Sequence, residues 1–401
     1  MAEETGENSK VPSLPPAPYP GMVENNGKPH HFKNIEGISG VALESVQEGE
    51  PVKIYTALAL TSDEPVFHKI ADNLQRIINH MANQAGTAVN LQKASMTLLV
   101  MHPDNSAELW LDTAAVSMLI MVKRGLKAGT VVFEHDIADI IGMSFPCVDI
   151  GAQDKVLCIF REGWRFGMAF DFNQRANLDV KAFERILGTL VRDLRYRHLY
   201  DALGNAALFA RLISAGWFPF VEIIQEIKDL LEHLESGFDI ADLEQKTLDS
   251  FDESRMQTLL NRWAEKPHLA SRMALLQAAV DAFNRKEPVA VIKILLTEIE
   301  GVLNDAHRAA NGGKGARIKG LLKFALDSAE GKTGGSQTLM FSKAFAEYLT
   351  QQTFANFDPE SNSGSASSRH AVGHGAAHQD TYTMIRALQV ILTLDQLAFY
   401  T

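Results

Sequence analysis

The chain has 401 residues, 46% of them hydrophobic, and a formal net charge of −11. This length suits two or three globular domains, and the acidic balance excludes a surface that coats nucleic acid indiscriminately. The only cysteines, Cys147 and Cys158, are too few for a disulfide framework or a zinc cluster. No apolar run reaches the ~18 residues of a membrane span, and the first residues lack a signal-peptide pattern. The sequence therefore predicts a cytoplasmic protein without a membrane partner.

Residues 1–35 are predicted to form a disordered tail. Five prolines fall between Pro12 and Pro20, surrounded by polar residues. Two adjacent histidines, His30 and His31, lie within this tail. We interpret them as solvated side chains rather than as a metal site.

Residues 36–177 are predicted to form a mixed α/β domain. Apolar residues at helical spacing predict a helix over 66–81. Short apolar runs separated by turn residues predict a sheet of about five to seven strands. These runs lie at 52–60, 96–101, 107–111, 118–122, 131–133, 156–160 and 164–172. Such a domain would sense a trigger or bind a partner.

Residues 178–266 are predicted to be a helical connector. One helix is expected over 180–200, followed by helical segments over 203–234. The second stretch should break at Trp217-Phe218-Pro219-Phe220, because a proline inside a helix cannot donate its backbone hydrogen bond. We interpret this aromatic cluster as an apolar hinge.

Residues 267–401 are predicted to form a helical bundle. Its helices are expected at 268–285, 288–305, 316–329, 338–352 and 380–399. The last helix is apolar nearly all round and should be the most buried, with Asp395 as a buried hydrogen-bonding group. The predicted fold class is α+β, with an N-terminal mixed α/β sheet domain followed by a C-terminal all-α bundle.

The segment before the last helix carries the residues that best suit catalysis. Arg369 offers a planar fork to phosphate, and His374 is able to move protons near neutral pH. If the segment opens the last helix, the two side chains should lie on one face, suited to acid/base attack on a phosphodiester. RNA brings its own nucleophile, the 2′-hydroxyl, so no metal or cofactor is predicted. In the alternative structural interpretation, Arg369 pairs with a carboxylate and His374 caps a helix.

A histidine ladder overlaps this segment. His370, His374 and His378 recur every four residues, which is a zinc-binding spacing on a helix. Gly373 and Gly375 weaken the helix that this ladder would need. A metal-dependent hydrolase is therefore the weaker alternative.

A basic run lies between the second and third helices of the bundle. Arg308, Lys314, Arg317, Lys319 and Lys323 occur there without an acidic residue among them. Such a run would steer phosphates toward the bundle. The alternative is an ordinary solvated helix surface.

The bundle resembles HEPN domains, the helical domains of many bacterial toxin and phage-defence ribonucleases. The resemblance rests on Arg369-His370-Ala371-Val372-Gly373-His374-Gly375, on the upstream helix with Thr297-Glu298-Ile299-Glu300-Gly301, and on the apolar closing helix 384–399. It covers roughly the last third of the chain and implies metal-independent RNA cleavage by a homodimer. It also implies that Arg369 and His374 are catalytic, with Glu300 assisting from the earlier helix.

The sequence thus predicts a cytoplasmic endoribonuclease of defence or toxin type. Its catalytic residues would be Arg369, His374 and Glu300. The residues expected to bind the RNA substrate are His370, Lys314, Arg317 and Lys319. A regulatory protein or ligand would act on the N-terminal domain. The alternative is a non-catalytic HEPN-like module that binds nucleotide, RNA or protein and dimerises.

Overall fold

The computed structural model describes residues 27–84, 89, 91–173, 177–333, 335, 337–356, 365 and 368–401. Both helices and antiparallel strands are present, which confirms the α+β class. The described residues divide into two compact units. The first unit takes the chain up to Leu119 together with Gly142–Arg195, and the second takes Ile120–Ile141 together with Tyr196–Thr401.

The strands lie mainly in the first unit. Within the described residues they are β1 (His30–Phe32), β2 (Val41–Ala42), β3 (Ile54–Tyr55), β4 (Ala57–Thr61), β5 (Met96–Met101), β6 (Ala107–Leu111), β7 (Ser117–Val122), β8 (Ile137–Ser144), β9 (Lys155–Glu162) and β10 (Arg165–Asp171). A six-stranded antiparallel sheet has the order β1-β6-β5-β9-β10-β4. The pairs β2-β3 and β7-β8 form separate two-stranded sheets.

The helices follow mainly in the second unit. Within the described residues they are α1 (Pro65–Gln84), α2 (Val180–Arg195), α3 (Arg197–Gly204), α4 (Ala206–Ser214), α5 (Lys228–Ser236), α6 (Ala241–Asp249), α7 (Glu253–Ala264), α8 (Met273–Asn284), α9 (Pro288–Ala310), α10 (Ile318–Thr333), α11 (Ser342–Gln351), α12 (Arg369–Gly373) and α13 (Met384–Tyr400). No helix in these ranges has both the length and the apolar character to cross a membrane.

The first unit sandwiches its sheet between α1 and α2. Met168 of β10 belongs to the core that α1 covers. Its neighbour Gly167 points to the opposite face, because side chains alternate along a strand. A Cβ added to Gly167 would lie 3.2 Å from Leu194 of α2 and 2.8 Å from the ring of Phe160. The glycine therefore lets α2 approach the sheet closely.

Most of the strand predictions are confirmed, but three details are wrong. Residues 131–133 form no strand, and their side chains are exposed. Strand β8 was not predicted, because its central Asp139 looks unsuited to a buried strand until its tertiary partners are known. The predicted disordered tail lies outside the described residues up to residue 26, but β1 pairs with β6 and buries Phe32. His30 and His31 thus belong to an edge strand.

The second unit is organised around α13, which packs on α9 and α10. Every residue from Ala387 to Tyr400 is buried, which confirms the prediction for the last helix. All five helices predicted for residues 267–401 are present, as α8, α9, α10, α11 and α13.

The aromatic cluster at 217–220 is part of the core of the second unit. The side chains of Trp217, Phe218 and Phe220 are fully buried. Phe218 packs against Phe345 and Tyr348 of α11, with ring centroids 5.1 and 5.6 Å away. The interpretation of this cluster as a hinge is therefore wrong, because packed aromatic rings fix the backbone on both sides of Pro219.

A hairpin segment, Ile120–Ile141, also belongs to the second unit. Buried Asp139 accepts hydrogen bonds from the Thr338 hydroxyl and, at 3.3 Å, from the Leu339 backbone. Arg124 pairs with Asp136 and, mainly through that hydrogen bond, lowers the pKa of Asp136 to about 2. The Asp139 contacts anchor this segment in the helical unit, although its sequence position falls in the predicted α/β domain, and the Arg124–Asp136 pair links two positions within the segment.

Candidate functional site

The short helix α12 positions the candidate arginine. Ser368 is its N-cap, and the Ser368 hydroxyl oxygen accepts from Ala371 N at 3.3 Å and donates to Ala355 O at 2.9 Å. The backbone N–H of Arg369 donates to Thr353 O at 2.9 Å. The start of α12 is thus tied to the segment that follows α11, and this fixes the position from which the Arg369 side chain departs.

Arg369 and Glu300 lie together on the side of α9. Arg369 Nη1 is 2.6 Å from Glu300 Oε2, and the two side chains are 32% and 26% exposed. The contact is an ion pair without hydrogen-bond alignment, because Glu300 Oε2 accepts no aligned hydrogen bond from a described residue. A guanidinium carries five N–H groups, and no described residue accepts a hydrogen bond from those of Arg369. The structure thus brings together two of the three predicted catalytic residues.

His374 lies at the other end of α12. It is the C-cap residue, and its backbone N–H donates to His370 O at 3.0 Å. Its side chain is exposed and has no hydrogen bond or ion pair with any residue that the structure describes. Positions five apart on a helix point about 140° away from each other. The expectation that Arg369 and His374 share one face of the last helix is therefore wrong, because α12 is a separate helix that ends at Gly373.

The structural interpretation of the motif also has support. Arg369 does pair with a carboxylate, and His374 does occupy a helix cap. The pairing with Glu300 is compatible with both interpretations. The cap contact of His374 uses only its backbone N–H, so a structural cap does not need an imidazole ring at this position. The exposed ring is therefore free to serve another role.

The histidine ladder does not form. His370 lies within α12 and is half-buried, while His378 lies beyond its end. The His378 ring pairs with Asp380 at 3.3 Å. No group of three His, Cys, Asp or Glu side chains in the described ranges is arranged to hold a metal ion. The spacing fails because the helix that would align the rings stops at Gly373.

The basic loop, defined as residues 311–319, comprises the connection between α9 and α10 together with the first two residues of α10, so Lys319 lies in the first turn of that helix. Lys314, Arg317 and Lys319 are all exposed, as a phosphate-binding role requires. The Lys314 carbonyl contacts His307 Nδ1 at 2.9 Å, which ties the loop to the end of α9. Glu300 lies about 15 Å back along α9, at 1.5 Å per residue. The loop folds back along α9, since Gly315 lies beside Asn304, one turn from Glu300. None of its described residues forms a hydrogen bond or ion pair with Arg369 or Glu300.

Two residues near these side chains were not predicted. Asn304 lies one turn after Glu300 on α9, and its Oδ1 is shielded from solvent without a hydrogen-bond donor among the described residues. Arg308 lies one turn further and makes no ion pair with a described residue. The spacing of Glu300, Asn304 and Arg308 at every fourth position was the sequence signal that could have identified this polar stripe.

A second charged cluster in the helical unit is structural. Buried Asp395 accepts from Arg262 Nη2 at 2.6 Å and from Trp263 Nε1 at 2.9 Å. Arg262 also pairs with Glu222 at 2.9 Å. Burial alone would raise the pKa of Glu222, but Arg262 and nearby cations lower it. This confirms the prediction that Asp395 is a buried hydrogen-bonding group.

Two surface clefts of the second unit, of about 530 and 340 Å³, contain none of the predicted site residues. The lining of the larger one includes Phe251, Phe283, Met384, Asp249, Asp252 and Glu253. No known family model matches the chain, and no curated protein or solved structure is detectably similar to it.

Proposed function

We propose that the protein is a metal-independent endoribonuclease of the HEPN type. The observation that carries this proposal is the contact between Arg369 and Glu300, two residues that the motif selected from distant parts of the sequence. The exposed ring of His374 on the same short helix supplies a group suited to proton transfer. The exposed basic loop beyond the end of α9 would bind neighbouring phosphates.

The chemistry is a transesterification within the RNA. The 2′-oxygen attacks the adjacent phosphorus, the bond from phosphorus to the 5′-oxygen breaks, and a 2′,3′-cyclic phosphate and a 5′-hydroxyl result. A base takes the 2′-proton and an acid protonates the leaving oxygen. His374 and Glu300 are the groups with the right chemistry, and Arg369 would bind the phosphate and stabilise its developing charge.

A homodimer would complete this site. Arg369 and His374 point away from each other on α12, so one phosphate is not easily contacted by both side chains of one chain. Two copies of α12 meeting in one cleft would allow Arg369 of one copy and His374 of the other to contact the same phosphate. The dimer is expected to form through the C-terminal helices, as the resemblance implies.

We further infer a cytoplasmic role in anti-phage defence or a toxin-like stress response. The six-stranded sheet unit would bind the triggering ligand or a regulatory protein. Because the chain is acidic overall, it would bind RNA locally, through the basic loop.

The test is cleavage of total RNA and of a tRNA pool in the presence of a chelator. The wild type is compared with His374→Ala, Arg369→Ala and the matched control His378→Ala, all checked for folding and for dimerisation. The proposal is supported if the wild type and His378→Ala cleave RNA and the His374→Ala and Arg369→Ala variants do not. Equal cleavage by all four proteins, or activity that the chelator abolishes, contradicts it.

A second candidate is a non-catalytic HEPN-like module that binds RNA, nucleotide or protein and dimerises. It is favoured by the Arg369–Glu300 ion pair itself, because the pair is electrostatically satisfied without a ligand. RNA binding without cleavage by a verified dimer would support this module over the nuclease.

A further inference from the structure

The polar stripe on α9, defined as Glu300, Asn304 and Arg308, runs from the Arg369–Glu300 pair toward the basic loop. The three residues are spaced every fourth position, so they share one face of the helix. Successive members are about 6 Å apart along the axis. An RNA strand that contacts both Arg369 and the basic loop would follow this stripe.

Two side-chain oxygens of the polar stripe, one carboxylate and one amide, accept no hydrogen bond from a described residue. Glu300 Oε2 and Asn304 Oδ1 are both shielded from solvent, and neither accepts a hydrogen bond from a described residue. A shielded acceptor without a donor is unfavourable and rare in folded proteins. At the Arg369–Glu300 pair the ionic contact compensates, but Asn304 has no such partner among the described side chains.

The backbone of the basic loop approaches Asn304 closely at Gly315. A Cβ placed on Gly315 would lie 3.1 Å from Asn304 Oδ1 and 3.4 Å from both Nε and Nη2 of Arg308. Asn304 and Arg308 thus flank one backbone position of the loop. Arg308 is exposed and free of ion pairs with described residues, so a phosphate can draw its guanidinium outward and open access to Asn304 Oδ1.

We infer that Asn304 is a positioning residue of the proposed ribonuclease site, whose Oδ1 accepts a hydrogen bond from a nucleotide next to the scissile phosphate. This inference rests on the proposed function. The ligand would present two groups: a neutral hydrogen-bond donor to Asn304 Oδ1 and a neighbouring phosphate to Arg308. In RNA that donor is either a ribose 2′-hydroxyl or an exocyclic amine of a base.

The test uses full-length protein and short RNA oligonucleotides with one known cleavage site. Asn304→Leu removes the acceptor at similar size, Asn304→Asp keeps an acceptor, and Asn261→Leu, at an exposed position of α7, is the matched control. Each variant is assayed on all-ribose RNA, on RNA with one 2′-deoxy nucleotide on the 3′ side of the scissile phosphate, which leaves the nucleophilic 2′-hydroxyl in place, and on RNA with inosine in place of guanosine. The 2′-deoxy and inosine substrates distinguish a ribose donor from a base donor.

Asn304→Leu should lower kcat/KM on all-ribose RNA about fivefold, the scale of one neutral hydrogen bond, mainly through KM. Asn304→Asp should recover most of the loss, and Asn261→Leu should match the wild type. On the substrate that lacks the relevant donor, Asn304→Leu should cause no further loss, because the two changes remove the same contact. A loss of equal factor on every substrate means that Asn304 is merely structural and overturns the inference.

Binding separates this inference from the proposed function. Fluorescence anisotropy of labelled RNA is measured in the His374→Ala background, with and without Asn304→Leu. If RNA binds about fivefold more weakly with Asn304→Leu but the wild type never cleaves, the positioning role stands and the nuclease fails. If neither protein binds RNA, both fail.

Discussion

The guanidinium of Arg272 lies directly against Gly301 of α9. A Cβ on Gly301 would be 2.5 Å from Arg272 Cζ, closer than any real contact. Arg272 also pairs with Glu298 and, at 2.8 Å, with Asp305, so two carboxylates hold the guanidinium over the glycine. Glu298 and Glu300 lie about 200° apart around the helix. Arg272 therefore uses one side of α9 and leaves Glu300 to Arg369.

Gly301→Ala should destabilise the protein by about 1–3 kcal/mol, the usual scale of overpacking. In a helix without such a contact, replacing glycine by alanine raises the free energy of unfolding by about 1 kcal/mol. A decrease for Gly301→Ala would therefore identify the clash with Arg272. The reason is that Arg272 must leave at least one of its two carboxylates to make room. Urea unfolding followed by circular dichroism measures the change.

Gly331→Ala is the matched control for this substitution. Gly331 also lies in a helix, α10, and a Cβ there would meet nothing within 4 Å. We expect its stability to be unchanged or slightly increased. If both variants were stabilised alike, Arg272 would not be held over Gly301.

Asp395 is the centre of the buried charge cluster, and its loss should be costly. Asp395→Ala leaves Arg262 with one carboxylate partner and the Trp263 indole N–H without an acceptor. Removing one partner of a buried ion pair costs about 3–5 kcal/mol. The midpoint of urea unfolding should fall accordingly, with a smaller loss for Asp395→Asn, which keeps an acceptor for Trp263.

The exposed pair of Lys323 and Asp327 on α10 is the control for the buried cluster. Its N–O distance is 2.7 Å, but both side chains are more than half exposed. Asp327→Ala should cost less than about 1 kcal/mol. A loss for Asp395→Ala no larger than this would show that the cluster contributes little to stability.

The local pattern of apolar residues was sufficient to predict most helices and strands, and also the burial of α13. Strands at 96–101 and 107–111 were predicted to the residue, because short apolar runs ended at clear turns. The nearly continuous apolar character of 384–399 identified the most buried helix. Asp395 was predicted correctly because a lone carboxylate in such a helix needs donors.

Contacts between distant parts of the sequence were not predictable from pattern alone. Assignment of 120–141 to the helical unit depends on Asp139 meeting Thr338 and Leu339, which no local periodicity encodes. Glu300 was selected as an assisting catalytic residue only through the family resemblance, and its ion pair with Arg369 was not predicted. That α12 is a helix separate from the last one was not predicted, although Gly373 and Gly375 had indicated a weakened helix there.

Lys332 should make stability depend on pH in the alkaline range. Lys332 is exposed as a residue, but its amine donates to Phe399 O at 3.3 Å and is partly desolvated. This desolvation, together with the charge of Lys266, lowers the pKa of Lys332 to about 8, from an ordinary value of 10.5. Below pH 8 the amine is charged in both states, and the folded state bears the unfavourable burial. Between about pH 8 and 10.5 the unfolded chain binds more protons, so the free energy of unfolding should rise with pH.

Comparison with Lys332→Met isolates this contribution. Buried tyrosines such as Tyr348, whose pKa is raised by burial, oppose it only above pH 10. The stability difference between Lys332→Met and the wild type should therefore shrink as pH rises from 7 to 10. A difference that stays constant would mean that the Lys332 amine is as well solvated in the folded state as in the unfolded one.

Exchanging the charges of Arg369 and Glu300 separates a structural pair from a catalytic one. Arg369→Glu alone and Glu300→Arg alone each place like charges together and should lower stability by about 0.5–1 kcal/mol, because both side chains are partly exposed. The double variant restores an ion pair and should recover the stability of the wild type.

Cleavage should not recover with stability in that double variant. The phosphate would meet a carboxylate on α12 where it needs a guanidinium, and loss of such transition-state stabilisation costs about 100-fold or more in rate. Thermal unfolding and RNA cleavage are measured on the same four proteins. If cleavage returned together with stability, the position of the arginine would not matter and the pair would act only by holding α12 against α9. If RNA binding but no cleavage were seen in the wild type as well, the pair would belong to a binding module.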